Sequence, residues 1–307
     1  MRRVKEDEGG AVAVMMALLM VVLLGMTALV VDAGMVYAER SQLQNGADSA
    51  ALAIAQDCAL GNCKDASGTA TTLANANAND GISAAASVIQ GNTVTVTTRT
   101  VTPDGDAAVQ HWFAPVLGID STQVAAVAKA SWGSPSKATV FPFTAPKCMF
   151  DTAPAEDSSV EVWITKDSTC TDANGKTLPG AFGWLDENDQ QSCRASVDLD
   201  QVIEGDPGKS APQNCDDLDG TTILLPVYVD KSEQGNNVRY VIDGFAAFHV
   251  TAHSWPNEQT NEPGCKNCAG IKGKFITLVS LEDLQSFGVE ELGGSSSYKV
   301  SFVTLTQ

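Results

Sequence analysis

The chain has 307 residues, with 19 basic and 37 acidic side chains and a formal net charge of −18 at pH 7. This length allows roughly two domains of about 150 residues each. So acidic a chain repels nucleic acid and anionic lipid, and we expect no nucleic-acid partner. The charge would suit a divalent cation or a basic protein as partner, and the alternative is that it simply keeps an exported domain soluble.

Residues 11–31 form an unbroken apolar run near the N-terminus. At about 1.5 Å per residue, a helix of this length spans roughly the 30 Å hydrocarbon core of a bilayer. A cleaved signal peptide is the alternative, but its apolar region is usually about 7–15 residues long. The run therefore predicts a retained, single-pass transmembrane helix.

Basic residues precede this run, namely Arg2, Arg3 and Lys5. Positive charge favours the cytoplasmic side, so residues 1–10 are predicted to be a cytoplasmic tail and the bulk of the chain to lie outside. The cysteines all follow the run, and an even number in an exported chain predicts disulfides. The candidates are Cys58, Cys63, Cys148, Cys170, Cys193, Cys215, Cys265 and Cys268. Eight cysteines allow 105 pairings, and the one local pair that we predict is Cys58 with Cys63.

Residues 32–63 continue the helical pattern as an extracytoplasmic stalk. Alternating steps of four and three place one set of side chains on a single face: Val36, Arg40, Leu43, Ala47, Ala50 and Ile54. Because most are small, this face is a candidate packing surface for another helix, from this chain or from a neighbour. The alternative is that alanine is simply a strong helix former. Gly46 could kink the helix.

A small α/β unit is predicted over residues 64–133. Residues 65–79 read as an alanine-rich helix, and residues 93–102 alternate valine and threonine as a half-buried strand does. Residues 107–117 look helical, and residues 123–132 read as a second strand.

The composition changes after residues 133–147, which carry three prolines and read as a linker. Residues 134–307 are predicted to be a β-rich domain, because short β-branched runs alternate with Gly, Asp, Asn and Pro clusters. These runs are residues 160–164, 223–229, 238–251, 274–278 and 298–305. The fold class is therefore α+β: a long transmembrane and stalk helix, a small α/β unit and a disulfide-containing β-rich domain.

Two N-terminal motifs carry a resemblance to a known family. Asp32 stands at the end of the apolar run, and residues 43–53 read LQNGADSAALA. Together with the glycine pair before the run, they resemble the N-terminal module of bacterial Tad-type (tight adherence) pilus-assembly proteins of the TadE/TadG-like group. Residues 113–121, FAPVLGIDS, are similar to the small external domain of that family.

Later motifs are similar to the external region of longer TadG-like proteins. They are Phe182-Gly-Trp184-Leu-Asp186, Leu225-Pro226-Val-Tyr228, Tyr240-Val-Ile-Asp-Gly-Phe245 and Ile271-Lys-Gly273-Lys-Phe275. Two features depart from related proteins. Met15 stands where a processed prepilin has glutamate, and residues 65–69 do not follow an apolar strand as a von Willebrand A metal site would. The resemblance implies a membrane-anchored protein of pilus assembly in the bacterial cell membrane.

Cysteine and histidine spacing invites a zinc or redox interpretation. Cys265 and Cys268 form a CxxC pair, but Pro263-Gly264 before them indicates a loop rather than the helix start of a thioredoxin-like site. His249 and His253 lie in a strand-like run, where four residues span about 13 Å, too far for both to bind one zinc. We expect structural disulfides and no metal site here.

Acidic clusters could bind calcium, but none has the complete spacing of an EF-hand. They are residues 186–189, 198–200 and 216–219, and solvated loops are the expected interpretation. The sequence contains no cofactor-binding loop and no nucleophile or zinc-protease motif, and we expect no catalytic residue and no enzyme.

These observations favour an accessory or minor component of a Tad-like pilus or secretion assembly, acting through protein contacts. Its expected partners are the membrane, other pilus or secretion components, and copies of itself through the N-terminal helix. Two alternatives stay open. One is a surface adhesin or sensor that binds a ligand with its β-rich domain, and the other is an exported thiol-disulfide enzyme using Cys265 and Cys268.

Overall fold

The computed structural model combines one long helix with two further helices and many strands, which confirms the predicted α+β class. It describes residues 9–102, 104–105, 108–153, 160–165, 170–171, 175, 177–178, 183–185, 193–205, 218–234, 237–255, 269–281 and 286–306. The chain divides into two compact units. The first contains residues 1–54, 63–130 and 305–307, and the second contains residues 55–62 and 131–304.

The first helix, α1 (Gly9–Ala59), runs without interruption for 51 residues. Among the helices of the described part of the chain, only this one is long and apolar enough to cross a membrane. The side chains of residues 12–31 are exposed except for Ala28, which is half-buried. Such an apolar surface in water would be costly, and it supports anchoring by a single transmembrane pass.

The helix α1 continues through Gly46 without a break. A Cβ atom at Gly46 would lie 3.1 Å from the Cα atom of Ala74 in the second helix, α2 (Ala66–Asn77). The glycine therefore allows two helix backbones to approach closely, and its cost in helix propensity is offset by this packing.

The rest of the first unit is a helix and a set of strands. Its strands are β1 (Ser83–Gln90), β2 (Thr93–Thr100), β3 (Val109–Gln110), β4 (Ser121–Thr122) and the start of β5 (Ala125–Val140). Strands β1 and β2 form an antiparallel hairpin, and β2 is followed in the sheet by β5. The alternation of β2 buries Val94, Val96 and Thr98, as its sequence predicts.

Two local predictions were wrong, and one strand was missed. Residues 107–117 are not an α-helix: they contain strand β3 and a short 3-10 helix, Ala114–Leu117. Residues 133–147 are not a linker, because β5 continues to Val140 and its Pro135 pairs with Leu292. Strand β1 was not predicted at all, since its alanines carry little β-propensity.

Two seven-stranded sheets and one small two-stranded sheet contain the described strands of the second unit. Its elements are the end of β5, β6 (Phe143–Pro146), α3 (Lys147–Thr152), β7 (Val162–Thr165), β8 (Cys170–Thr171), β9 (Thr177–Leu178), β10 (Gly183–Trp184), β11 (Ala195–Asp198), β12 (Ile203–Gly205), β13 (Thr222–Gln234), β14 (Asn237–Ser254), β15 (Gly270–Ile276), β16 (Leu278–Ser280), β17 (Val289–Gly294) and β18 (Val300–Thr306). One sheet has the order β10-β6-β13-β14-β15-β7, with β12 paired to β14. In the other, β5 pairs with β11 and β17 and is followed by β18 and β16.

Side chains of both sheets meet in one core of the second unit. Tyr228 and Phe245 from the first sheet are fully buried in the same cluster as Ala138 and Phe302 from the other. The long pairing of β13 with β14 contains β-bulges around Tyr228, which increase local twist.

A disulfide joins Cys148 in α3 to Cys170 in β8. Cys58, Cys63 and Cys193 are also disulfide-bonded. The pairing of Cys58 with Cys63 stays a prediction, and Cys215, Cys265 and Cys268 lie outside the described residues.

Candidate functional site

The carboxylate of Asp32, at the end of the membrane anchor, accepts several hydrogen bonds from a distant part of the chain. Asp32 directly follows the apolar run on α1, yet its side chain is only 3% exposed. Its Oδ1 accepts the backbone N–H of Trp112 at 2.9 Å, and its Oδ2 accepts those of Phe113 at 3.0 Å and Ala114 at 2.5 Å. One side chain thus binds three consecutive amides.

Ala114 is the first residue of the 3-10 helix Ala114–Leu117, and Trp112 and Phe113 directly precede it. The first N–H groups of a helix have no partner within it, so a carboxylate there satisfies donors that would otherwise be buried unpaired. Asp32, which lies about 80 positions earlier in the chain, therefore acts as the N-terminal cap of this 3-10 helix.

Two opposing effects determine the acidity of this carboxyl group. Burial raises the pKa of Asp32, whereas the bonds from Trp112, Ala114 and Phe113 and the charge of His111 lower it. The net pKa lies below the ordinary value, so the carboxylate is ionised at neutral pH. An ionised acceptor makes the stronger, charge-assisted kind of hydrogen bond.

Further hydrogen bonds hold the stalk part of α1 to the sheet of the first unit. The hydroxyl of Thr98 donates to the carbonyl oxygen of Leu43 at 2.9 Å, and the hydroxyl of Thr100 donates to Glu39 Oε1 at 2.8 Å. The backbone N–H of Asn79 donates to Gln42 Oε1 at 2.8 Å. The stalk is therefore an integral part of the first unit rather than a free rod.

The structure places most of the candidate helix-packing face inside the chain. Leu43, Ala47, Ala50 and Ile54 are buried, and Val36 is half-buried against a small cluster with Leu43. Arg40 departs from the predicted face, because it is exposed. A helix of a neighbouring chain therefore has no access to this part of α1.

The histidines singled out by their spacing have separate partners. His249 Nδ1 lies 3.2 Å from Thr222 Oγ1, and His253 Nδ1 lies 2.7 Å from Asp219 Oδ1. Of the acidic clusters, Asp198 accepts the backbone N–H of Asp200 at 3.0 Å within a turn. In the described ranges, no group of three or more His, Cys, Asp or Glu residues could hold a metal ion.

The link between Asp32 and the segment 112–114 was not predicted from the sequence. The motif drew attention to Asp32, but nothing local identifies donors so far along the chain. The signal that could have indicated them is an acidic residue at the border of an apolar helix, where a charge must find partners or water.

Comparison with known proteins supports the resemblance in the N-terminal part. Residues 10–57 match the family model Tad, described as putative Flp pilus-assembly TadE/G-like. The match confirms the resemblance that the motifs around Asp32 and residues 43–53 indicated, and it covers the transmembrane and stalk helix. No curated protein and no solved structure matches the chain.

Proposed function

We propose that this chain, with its TadE/G-like N-terminal helix, is an accessory or minor component of a Tad-like pilus or secretion assembly. It acts through protein contacts made by units that are held outside the membrane. The observation that carries this proposal is the match of residues 10–57, the same residues that form the anchor and the stalk.

The orientation is part of the proposal. Arg2, Arg3 and Lys5 precede the span, and such residues favour the cytoplasm. The chain after residue 32 would then face an oxidising compartment, where disulfides such as Cys148–Cys170 persist. Alkaline phosphatase fused after Gln307 should be active, whereas the same enzyme fused before Met1 should be inactive.

The burial of side chains also indicates which parts of the chain could contact other proteins. Because Leu43, Ala47, Ala50 and Ile54 of the stalk are buried in the first unit, helix contacts with other subunits would mainly involve the exposed span, residues 12–31. The second unit, residues 55–62 and 131–304, offers the larger external surface for contacts with other assembly components.

Gene deletion with complementation tests this function. The deletion strain should lose pili and surface adherence, and the wild-type chain supplied from a plasmid should restore both. A version in which residues 1–31 are replaced by a cleavable signal peptide should be exported at the same level yet fail to restore pili, because the external units are no longer anchored. A deletion strain with a normal number of pili would contradict the proposal.

The two alternative functions predict different outcomes in the same strains. An adhesin would leave the pilus number normal and remove only attachment. A thiol-disulfide enzyme would require Cys265 and Cys268, so the double variant Cys265→Ser/Cys268→Ser would lose all function while the protein level stayed normal. We propose a non-catalytic role, for which that variant should assemble pili whenever it is stably exported.

A further inference from the structure

A folded loop next to the membrane anchor presents apolar side chains outward. Residues 112–119 read WFAPVLGI and contain no charged residue. The exposed fractions are 76% for Trp112, 90% for Val116, 66% for Leu117 and 52% for Ile119. A soluble surface rarely groups so many large apolar side chains in one short loop, and such a patch marks an interaction site.

The loop is held in one conformation. At its base, strands β3 and β4 pair, and the N–H of His111 donates to the carbonyl oxygen of Asp120 at 3.0 Å. At its tip, Gly118 has φ of +80°, which closes the 3-10 turn at low steric cost. The apolar residues are therefore presented by a rigid turn.

The bonds from Asp32 fix this loop at the membrane surface. Asp32 is the first residue after the apolar run, and Trp112, Phe113 and Ala114 bind it directly. Ala28, one helical turn earlier on the same face, is the only residue among 12–31 whose side chain is not exposed.

The position of this loop at the end of the span indicates that its apolar side chains contact lipid. A bilayer continues beyond its 30 Å core into polar interfaces, each roughly 5–7 Å thick. A loop attached to the last turn of a span lies within that layer, where tryptophan is the preferred aromatic residue and apolar side chains reach the acyl chains. The loop lacks lysine and arginine, so its contact would depend on acyl chains rather than on headgroup charge.

We propose that residues 112–119 form an interfacial wedge that inserts into the outer leaflet of the membrane that α1 spans. The wedge is a second membrane contact, and it fixes the depth and tilt of the first unit against the bilayer. This inference depends on the membrane anchor but not on a role in pilus assembly, so the two can fail separately.

Fluorescence quenching of the full-length chain in phosphatidylcholine nanodiscs tests the wedge. Subtracting the signal of the Trp112→Phe variant isolates Trp112 from the other four tryptophans. Phosphatidylcholine with bromine on the upper acyl chain should quench the Trp112 signal strongly, whereas aqueous iodide should quench it weakly. Efficient quenching by iodide alone would place the loop in water and overturn the proposal. Protection from both quenchers would overturn it as well, because a protein surface would then cover Trp112.

A pair of matched variants makes the result specific. Val116→Asp places a charge at the tip of the wedge and should greatly reduce quenching of Trp112 by brominated lipid. Val88→Asp is the control, since Val88 is also exposed in the first unit but lies on β1. Equal effects of the two variants would contradict the proposal. Far-UV circular dichroism checks that both fold, and Val116, being 90% exposed, makes few packing contacts to lose.

Salt separates the wedge from an electrostatic contact. Quenching of Trp112 should be the same at low and high NaCl and with or without anionic lipid, because no charged side chain lies in residues 112–119. A quenching signal that disappears at high salt would show that charge, and not apolar insertion, holds the loop at the membrane.

Discussion

The carboxylate of Asp32 accepts a 2.5 Å hydrogen bond from the backbone N–H of Ala114, a residue 82 positions later in the chain. With Trp112 and Phe113 added, three donors converge on two oxygens of one ionised group. Few side chains other than a carboxylate could satisfy this arrangement, because an amide has one oxygen and adds two donors of its own. The family motif at the membrane exit thus has a structural role in this chain.

Replacing Asp32 by asparagine should loosen the loop without unfolding the chain. In Asp32→Asn, the amides of residues 112–114 lose a charge-assisted acceptor and should exchange hydrogen several-fold faster. Hydrogen exchange with mass spectrometry on peptides covering residues 108–120 measures this change. Asp57→Asn, at an exposed position near the end of the same helix, is the matched control and should leave the exchange unaltered. Identical exchange in the two variants would show that Asp32 does not hold the loop.

The acidity of Asp32 predicts how the loop responds to pH. Because the folded pKa of Asp32 is lowered, its stabilising contribution is fully present above the unfolded value of about 3.9. The contribution is then lost as the pH falls through the still lower folded pKa. Trp112 fluorescence should therefore stay constant from about pH 8 to pH 5 and change only below about pH 4. The Asp32→Asn variant should lack this acid transition, and a wild-type transition near pH 6–7 would point to a histidine instead.

Gly46 should tolerate no large side chain. Gly46→Leu forces α1 and α2 apart at a point where a Cβ already lies 3.1 Å from the Cα of Ala74, and it should lower the free energy of unfolding by about 1–3 kcal/mol. Gly34→Leu is the control on the same helix, where nothing lies within 4 Å of an added Cβ. It should be neutral or stabilise by about 0.5–1 kcal/mol. Urea unfolding followed by circular dichroism compares the two, and equal stabilities would refute the close helix approach.

A buried tyrosine in the second unit offers an independent test of the β-rich core. The hydroxyl of Tyr298 donates to Asp243 Oδ2 at 2.6 Å, and burial together with this carboxylate raises the pKa of the Tyr298 hydroxyl. Tyr298→Phe should lower the free energy of unfolding by about 1–2 kcal/mol, because a charge-assisted bond is lost. Tyr37→Phe, at an exposed position on α1, should change it by less than about 0.5 kcal/mol. Equal stability of the two variants would mean that the bond to Asp243 contributes nothing.

The ring of the same tyrosine also requires a glycine beside it. A Cβ atom at Gly244 would lie 2.6 Å from ring atoms of Tyr298, so Gly244→Ala must displace a fully buried side chain. We expect a loss of about 1–3 kcal/mol in the free energy of unfolding. In the Tyr298→Leu background the same Gly244→Ala change should cost clearly less, and an equal cost in both backgrounds would show that the ring can move away freely.

Periodicity and local chemistry predicted the elements whose interactions are short-range. The α2 helix and the alternating valines of β2 carry their own signal, because one face of each is buried in regular steps, and the apolar run is recognised by its length. The proline-containing stretch 133–147 misled the interpretation. Proline fits extended backbone at strand edges and irregular pairings, as Pro135 and Pro146 do here.

The candidate site was less predictable because it depends on contacts between distant residues. The alanine and apolar content of residues 107–117 imitates a helix, but the amides of residues 112–114 bind Asp32 instead of the carbonyl groups one α-helical turn earlier. No pattern within the segment contains that information. The same holds for Gly46. A glycine fits there because the backbone of Ala74 in α2 lies close to it, and no pattern within α1 indicates that contact.

The long separation between Asp32 and its partners also sets an order of events during biogenesis. When Asp32 is added to the growing chain, Trp112 is still 80 residues away from synthesis, or roughly 4–16 s at 5–20 residues per second. The anchor can therefore enter the lipid well before its cap exists. An aspartate, which is readily hydrated, suits this interval, because it can stay in water until the donors have been translocated. Closure of the cap therefore has to wait until the chain has been made at least as far as Ala114.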